Sequence, residues 1–167
     1  MEPSCSNETN DQANNKQLKY PNSFNDKFEQ LLLQEISPQI WLSVYRSKSM
    51  NASVFIDIRQ KRERRYNGER TLIPTKFGVF LRRQEFDQIK DIFEAWTKGL
   101  MEPEVPHEIK LDGRKVTFTK DGERYKISLN TNSKFSGVIL SAAQMKKLVS
   151  YSLAENLATI LAEMNWV

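Results

Sequence analysis

The sequence predicts an α+β protein in which two ββββα units form a pseudo-dimer within one chain. A phrase that occurs twice supports this prediction: "KFGVFLRRQEF" starts at Lys76, and "KFSGVILSAAQM" starts at Lys134. Strand-like runs broken by Asn-Gly or Asp-Gly turns precede each copy, and apolar residues at helical spacing follow it. A chain of 167 residues has room for two such small units. We therefore expect one supersecondary unit to occur twice in series.

The beginning of the chain differs in composition from the rest. Residues 1–23 are rich in Asn, Ser and Gln and nearly free of large apolar side chains, which predicts a disordered polar tail. A short amphipathic helix is predicted over residues 24–38, where Ser37-Pro38 ends it. Its apolar residues recur at helical spacing: Phe24, Phe28, Leu31, Leu32 and Ile36. We expect this helix to dock on its own chain, and binding to a partner is the alternative.

The first ββββα unit is predicted over residues 39–100. The run "QIWLSVYRS", rich in aromatic and β-branched residues, predicts its first strand, and the next run, "SVFIDIRQKRERR", alternates between two faces. One face carries Val54, Ile56 and Ile58, and the other carries Phe55, Asp57, Arg59 and Lys61. Asn67-Gly68 predicts a hairpin. "TLIPTKFGVFL" then predicts strand, turn and strand, because Pro74 limits pairing. A helix follows, with Gly99 as its C-terminal cap and this apolar stripe: Phe86, Ile89, Phe93 and Trp96.

A Pro-rich linker over residues 101–106 leads to the second unit, which is predicted over residues 107–167. Three strand-like runs are separated by turns at Asp112-Gly113 and Asp121-Gly122, and "KFSGVIL" predicts the fourth strand. One long helix is predicted from Ser141 onward. A unit of this size buries little core alone, and its single helix covers only one sheet face. We therefore expect the units to pair and to leave the opposite sheet faces open.

Positive charge is concentrated in the strands rather than spread over the chain. The whole chain carries a net charge of +4. Residues 59–83 alone hold nine Arg and Lys against two Glu, a net of +7, and residues 110–134 hold seven against three, a net of +4. Strand-borne cations with nearby aromatic rings suit single-stranded nucleic acid, because the cations follow the phosphates and the rings stack on unpaired bases. The candidate rings, each of which could pack in the core instead, are Phe55, Tyr66, Phe77, Phe118, Tyr125 and Phe135. A solvated hairpin that protects a sheet edge is the alternative for the charge, but an edge needs only one or two cations.

Several functional classes lack the residues that they need. The chain has a single cysteine, Cys5, and a single histidine, His107, so we expect no disulfide, no metal centre and no Ser-His or Cys-His catalytic pair. No apolar run reaches the length of a membrane span, and the N-terminus lacks the apolar segment of a secretory signal. We expect a protein that is not an enzyme, has no cofactor, and acts in the nucleus or, alternatively, in the cytoplasm.

At "SVFIDIRQ" and "PTKFGVFLRRQEFDQIKDIF" the sequence resembles the positive cofactor four family of transcriptional coactivators, whose C-terminal domain binds single-stranded DNA. The shared features are Asp57-Ile58-Arg59 at the end of a strand, "KFGVFL" in the last strand, and Phe86 at the helix start, where the family usually has Trp. "WLSVYRSKS" is similar to that family's first strand. The second unit is similar only through "KFSGVIL" and its helix, and it lacks the Asp-Ile-Arg sequence. The whirly and Pur-type proteins are the nearest alternative at the level of the fold.

The resemblance implies two curved antiparallel sheets that bind single strands or melted duplex, and two paired helices that form the interface. It implies that these residues face the strand: Arg46, Lys48, Arg59, Arg62 and Lys76. Arg62 stands where the family commonly has an aromatic residue, so we expect binding that depends less on bases and more on salt. From the resemblance and the charge together, the remaining candidates are Lys61, Arg64, Arg65, Arg70, Phe77, Lys115, Lys120, Arg124, Lys126 and Lys134.

We therefore expect a non-catalytic single-stranded DNA-binding protein of the coactivator type that acts in transcription or replication, as a pseudo-dimeric monomer or a homodimer. A protein of the transcription machinery is a further expected partner, and a membrane is not. A single-stranded RNA binder or RNA chaperone is one alternative, because no feature of the sequence reads a 2′-hydroxyl. A module that recruits a polymerase or another protein through helices at residues 24–36 and 141–165 is the other.

Overall fold

The structure, a computed structural model, describes residues 26–49, 52–100, 102 and 105–163. Its helices and strands, in chain order, are β1 Phe28–Glu35, β2 Ile40–Ser47, β3 Val54–Tyr66, β4 Glu69–Arg82, α1 Arg83–Thr97, β5 His107–Leu111, β6 Arg114–Asp121, β7 Arg124–Asn130, β8 Phe135–Ser141, α2 Ala142–Ser152 and α3 Glu155–Glu163. The strands form two four-stranded antiparallel sheets, with the orders β1-β2-β3-β4 and β8-β7-β6-β5. The α+β class is therefore confirmed. The predicted tail over residues 1–23 lies outside the described residues.

The predicted helix over residues 24–38 is wrong over Phe28–Glu35, which forms strand β1. This strand pairs with β2 from Phe28 opposite Ser47 to Glu35 opposite Trp41. A register shift between Gln30 and Leu32 breaks the alternation of side chains, which gives the apolar residues a spacing that resembles a helix. Pairing with the neighbouring strand overrides that local pattern. The first sheet therefore begins at β1 and not at residue 39.

The predicted hairpin at Asn67-Gly68 is confirmed, because both residues have positive φ angles, of 53° and 82°, between β3 and β4. The prediction of strand, turn and strand over the residues that follow is wrong, since β4 runs without interruption through Pro74. The disturbance in this strand is a bulge at residues 75–77, which lie opposite the single residue Gln60 of β3. The proline therefore stands beside an irregularity in pairing and does not end the strand.

The second sheet has the four strands that the sequence predicts. Positive φ angles at Asp112 (51°), Gly113 (77°) and Gly122 (65°) confirm its two tight turns. The single long helix predicted from Ser141 is wrong, because Leu153 and the residue after it separate α2 from α3. No Gly or Pro marks this break in the sequence. The second sheet is thus followed by two helices.

One hydrophobic core is shared by both sheets and by all three helices. The cluster includes Ile56 of β3, Phe93 of α1, Phe118 of β6, Leu148 of α2 and Leu157 of α3, each at most 1% exposed. Since β-strand side chains alternate between faces, one face of each sheet lines this core and the other faces away. No helix in the described part of the chain is long and apolar enough to cross a membrane.

Helix α1 packs against the second sheet. The ring centroid of Phe93 lies 5.7 Å from that of Phe118, and that of Trp96 lies 5.2 Å from that of Tyr125. Strands β4 and β8 also lie close together. Helix α1 ends with the predicted glycine cap, where Gly99 has a φ of 70° and the next amide donates to the carbonyl of Ala95 at 2.8 Å.

The N-terminal turn of α1 contacts the second sheet, and the N-terminal turn of α2 contacts a connection of the first sheet. Glu85, the third residue of α1, accepts hydrogen bonds from Arg114 at 2.7 and 3.0 Å, directly after the turn between β5 and β6. Gln144, the third residue of α2, donates to the hydroxyl of Ser37 at 3.0 Å, in the connection between β1 and β2. In both contacts the third residue of a helix meets the connection between the first two strands of the other sheet, or the residue directly after it.

Candidate nucleic-acid interface

The face of the first sheet opposite the core carries the side chains that the alternation predicts, but it is not an open platform. Its rings pack on one another: Phe55 and Phe80 are stacked with centroids 4.8 Å apart, and Phe28 meets Phe80 edge-on at 5.5 Å. Tyr45 lies beside them and is only 1% exposed. The ring of Phe55 is therefore engaged with other protein rings, and most of this face is filled by its own side chains.

Lys61 lies on this face and has no solvent exposure. Its Nζ lies 3.3 Å from the hydroxyl of Ser43. Burial lowers the pKa of Lys61 from 10.5 to about 8; the nearby charge of Asp57 raises it in part, and that of Arg59 lowers it further. A buried ammonium cannot meet a phosphate without opening the sheet, so Lys61 is withdrawn from the candidate interface.

Arg59 is held by protein groups on several sides. Its guanidinium binds the carboxylate of Asp57 at 3.0–3.1 Å, and its Nη1 donates to the carbonyl of Thr75 at 2.8 Å. The Arg59 side chain is 17% exposed. It also crosses the face of Gly78, where an added Cβ would lie 2.7 Å from its Cγ. Arg59 is therefore engaged within the protein rather than directed at solvent.

Beyond the sheet, the β3–β4 hairpin presents Arg side chains of two kinds. Arg65 and Arg70 both bind Glu63 at 2.9 Å. Burial alone would raise the pKa of Glu63, but hydrogen bonds from Arg70 and Arg65 lower it below 4.5. Arg62 and Arg64 are exposed, and the side chain of neither forms a hydrogen bond or an ion pair with another residue that the structure describes. These two are the cations of the hairpin that are available to a ligand.

Two exposed rings accompany these cations. Tyr66, at the hairpin tip, is 73% exposed, and Phe77, in the bulge of β4, is 49% exposed. Lys76 is exposed beside it, with its Nζ 5.5 Å from the centroid of the Phe77 ring. A large apolar ring that faces solvent beside an ammonium is a surface on which an unpaired base can stack.

The second unit presents a similar pair on the sheet face opposite the core. Phe135 is 62% exposed, and the Nζ of Lys126 lies 5.2 Å from its ring centroid. Phe118 and Tyr125, the other candidate rings here, are 0% and 6% exposed, so they belong to the core. Phe77 and Phe135 thus lie on the surface in both copies of the repeated phrase.

The remaining predicted cations are distributed around this pair of surfaces. Lys115 binds Glu108 at 3.6 Å, and Lys120 lies over the Tyr125 ring at 5.7 Å. Arg124 and Lys134 are exposed. Lys48, after strand β2, is exposed and also has an interaction within the protein. Arg46 is bound to Glu29 at 2.7 Å. Of these cations, Arg124 and Lys134 face solvent, and the others contact protein groups.

Sequence reasoning missed two features of the site. It did not find that Thr75 organises the bulge below Lys76, because its partners lie on another strand. It also missed Ile139, which is 53% exposed beside Lys126. Alternation predicts the outward direction of Ile139 but not that the face stays uncovered.

The described residues contain no group of three or more His, Cys, Asp or Glu side chains that could hold a metal ion. No family model matches the chain, and no curated protein matches it with a significant score. The resemblance to the coactivator family therefore stays a prediction that rests on the quoted motifs.

Proposed function

We propose that the chain is a non-catalytic, single-stranded DNA-binding protein of the transcriptional coactivator type, which acts on unpaired or melted DNA in the nucleus. One observation carries the proposal: each copy of the repeated phrase exposes a phenylalanine beside a lysine, Phe77 with Lys76 and Phe135 with Lys126. An exposed ring stacks on a base only where the base is unpaired and accessible. A cation beside the ring attracts the adjacent phosphate.

The hairpin adds a sequence-independent electrostatic contribution. Arg62 and Arg64 project from strand β3 with Arg65 and Tyr66, all exposed. A phosphate that meets a solvated arginine releases condensed counterions, which favours binding at low salt and makes the affinity depend on salt. Arginines on an extended hairpin can follow a flexible backbone, whereas base stacking requires a single strand. Together these groups favour single strands over duplex.

We also propose that the two sheets and their helices are two related units paired around a pseudo-two-fold axis. The reciprocal contacts of Glu85 with Arg114 and of Gln144 with Ser37 support this arrangement, because a two-fold interface uses the same positions twice. The packing of Phe93 on Phe118 joins the units through a shared core. The second helix, α3, distinguishes the second unit from a simple ββββα repeat.

Two units that pair within one chain bury their interface without a second chain. The protein is therefore expected to be a monomer in solution. Light scattering after size-exclusion chromatography should give the mass of one chain, 19.5 kDa. A stable species of twice that mass would contradict intrachain pairing and favour pairing between chains.

Titration with labelled oligonucleotides tests the function directly. We expect tighter binding to single-stranded DNA than to duplex, with an affinity that falls at least about 10-fold between roughly 50 and 200 mM salt. Fluorescence anisotropy with single-stranded DNA, single-stranded RNA and duplex of the same sequence measures both effects. Equal and negligible binding to all three would rule the proposal out, and a clear preference for RNA would favour the RNA-binding alternative.

A pair of double variants tests which cations bind. The slope of log affinity against log salt is negative, and each phosphate contact on a single strand contributes about 0.7 to its magnitude. Arg62→Ala with Arg64→Ala should therefore reduce that magnitude by about 1.4. The control is Lys146→Ala with Lys147→Ala, which removes the same charge from exposed positions on α2. An equal decrease in the magnitude of the slope in both double variants would show that binding depends only on the net charge of the protein.

The interaction-module alternative retains less support. Its first proposed recruiting helix spans residues 24–36, of which Phe28–Glu35 is a strand of the first sheet. The apolar face of its second helical region is buried, with Leu148, Leu157 and Leu161 at most 1% exposed. The apolar faces of the described helices are therefore buried within the protein and are not exposed to a partner.

A further inference from the structure

The bulge in strand β4 is held by a defined set of hydrogen bonds. Arg59 of β3 lies opposite Gly78, and Lys61 lies opposite Pro74, so residues 75–77 face the single residue between Arg59 and Lys61. Two extra residues in one strand displace it from the sheet and direct its side chains outward. Pro74 has no amide hydrogen to continue the ladder beside the bulge.

Both ends of the bulge are fixed. The hydroxyl of Thr75 donates to the carbonyl of Gln60 at 2.7 Å and accepts the amide hydrogen of Phe77 at 3.1 Å. Nη1 of Arg59 donates to the carbonyl of Thr75 at 2.8 Å. Asp57, which is 2% exposed, orients that guanidinium through its carboxylate. The bulge backbone is thus connected to β3 through one hydroxyl and one guanidinium.

Gly78 makes room for this arrangement. An added Cβ at this position would lie 2.7 to 2.8 Å from Cβ, Cγ and Cζ of Arg59, so the side chain crosses the strand only where no Cβ is present. In the second unit the equivalent glycine, Gly137, lies opposite Ser128, and β8 pairs with β7 without a register shift. The described second sheet therefore lacks both the arginine and the bulge.

We propose that Arg59 is a positioning residue that, with Asp57 and Thr75, fixes the bulge so that Phe77 and Lys76 form a site for one unpaired nucleotide. The base stacks on the ring of Phe77, and its phosphate meets the Lys76 ammonium. The bulge backbone that carries the ring and the cation is already ordered in the free protein. Binding of the nucleotide therefore costs less conformational entropy than it would if a loop had to become ordered. This inference rests on the proposed function, and it assigns Arg59 to the support of the site rather than to contact with the strand.

Two variants loosen the bulge without changing charge. Thr75→Val keeps the shape of the side chain and removes both hydroxyl hydrogen bonds, and Gly78→Ala displaces Arg59. Each should lower the affinity for fluorescein-labelled oligothymidylate about 10-fold, the loss also expected for Phe77→Ala, and should reduce the magnitude of the salt slope by no more than the roughly 0.7 that the Lys76 contact contributes. Thr75→Val added to a variant that already carries Lys76→Ala and Phe77→Ala should cause no further loss of affinity. Wild-type affinity in both Thr75→Val and Gly78→Ala would overturn the inference.

A charge variant separates positioning from direct contact. Asp57→Asn with Arg59→Gln removes the ion pair without leaving a buried carboxylate unpaired, and it should reduce the affinity. In a Lys76→Ala background, which has already lost the positioned phosphate contact, the same double variant should leave the salt slope unchanged. A further decrease of about 0.7 in the magnitude of the slope would make Arg59 itself a phosphate contact and overturn its positioning role. Amide hydrogen exchange in the free protein gives a measure that needs no ligand. The Phe77 amide should exchange faster in Thr75→Val than in the wild type, and equal exchange would overturn the proposed restraint.

The wild-type protein keeps the two proposals distinguishable. If it fails to bind oligothymidylate, the proposed function is wrong and the nucleotide site falls with it. If it binds and the Thr75→Val and Gly78→Ala variants bind equally well, only the positioning of the bulge is wrong.

Discussion

Replacing Glu85 by alanine is expected to lower the free energy of unfolding by about 3–5 kcal/mol, the range for breaking a buried ion pair from one side. Glu85 has no solvent exposure, and its partner Arg114 is 18% exposed. The substitution leaves that guanidinium without its carboxylate. It also leaves the amide of Arg82, which donates to Glu85 at 2.8 Å, without an acceptor at the start of α1. Urea unfolding followed by circular dichroism measures the change.

Gln144→Ala is the matched control, because Gln144 occupies the same position in α2 and caps that helix in the same way. Its contact with Ser37 is neutral, so a loss of only about 1 kcal/mol is expected. Glu85→Gln should fall between the two, since it keeps the shape and an acceptor but loses the charge. Equal losses for Glu85→Ala and Gln144→Ala would show that the ion pair adds nothing beyond helix capping.

Lys61→Met is expected to stabilise the protein near pH 7 and to lose that advantage as the pH rises toward 10. The pKa of Lys61 in the folded protein is lowered by burial from 10.5 to about 8. Between these values the unfolded chain binds more protons than the folded chain, so the wild-type protein gains stability as the pH rises. Below pH 8 the lysine is charged in both states and its burial disfavours folding by a constant amount. This difference between the pKa values of the unfolded and folded states corresponds to about 3 kcal/mol in the free energy of unfolding.

The measurement is the free energy of unfolding of both proteins at several pH values between 7 and 10, compared as a difference so that other titrating groups cancel. Lys110→Met, at a lysine side chain that is 72% exposed in the second sheet, is the control and should show no such dependence. A constant difference between wild type and Lys61→Met across this range would mean that Lys61 is not neutralised in the folded state.

Local signals in the sequence predict much of the fold. Asn67-Gly68 and the Asp-Gly pairs predict the turns because few residues adopt positive φ angles readily. The alternation from Val54 onward predicts which side chains of β3 share a face, and the stripe that includes Phe86 and Phe93 predicts the buried side of α1. Each of these signals is contained within a few consecutive residues.

The failures have a common physical cause, which is dependence on distant partners. The apolar residues of strand β1 have helical spacing in the sequence, and only the bulged pairing with β2 identifies the segment as a strand. Alternation places Lys61 on the outward face but does not show that other side chains cover it. The assignment of Arg59 to the interface missed its contact with Thr75, 16 residues away. At the candidate site, the exposure of Phe77 and Phe135 similarly depends on which faces the helices leave uncovered.

The packing of α1 on the second sheet has a consequence for synthesis of the chain. Domains generally fold as units during synthesis, with N-terminal domains first. Phe93 and Trp96 acquire their ring partners only when Phe118 and Tyr125 have been made. A ribosome that has released only the residues up to the end of α1 therefore presents an apolar helix face without its partner. We expect the nascent chain to remain open to chaperones until strands β6 and β7 have emerged.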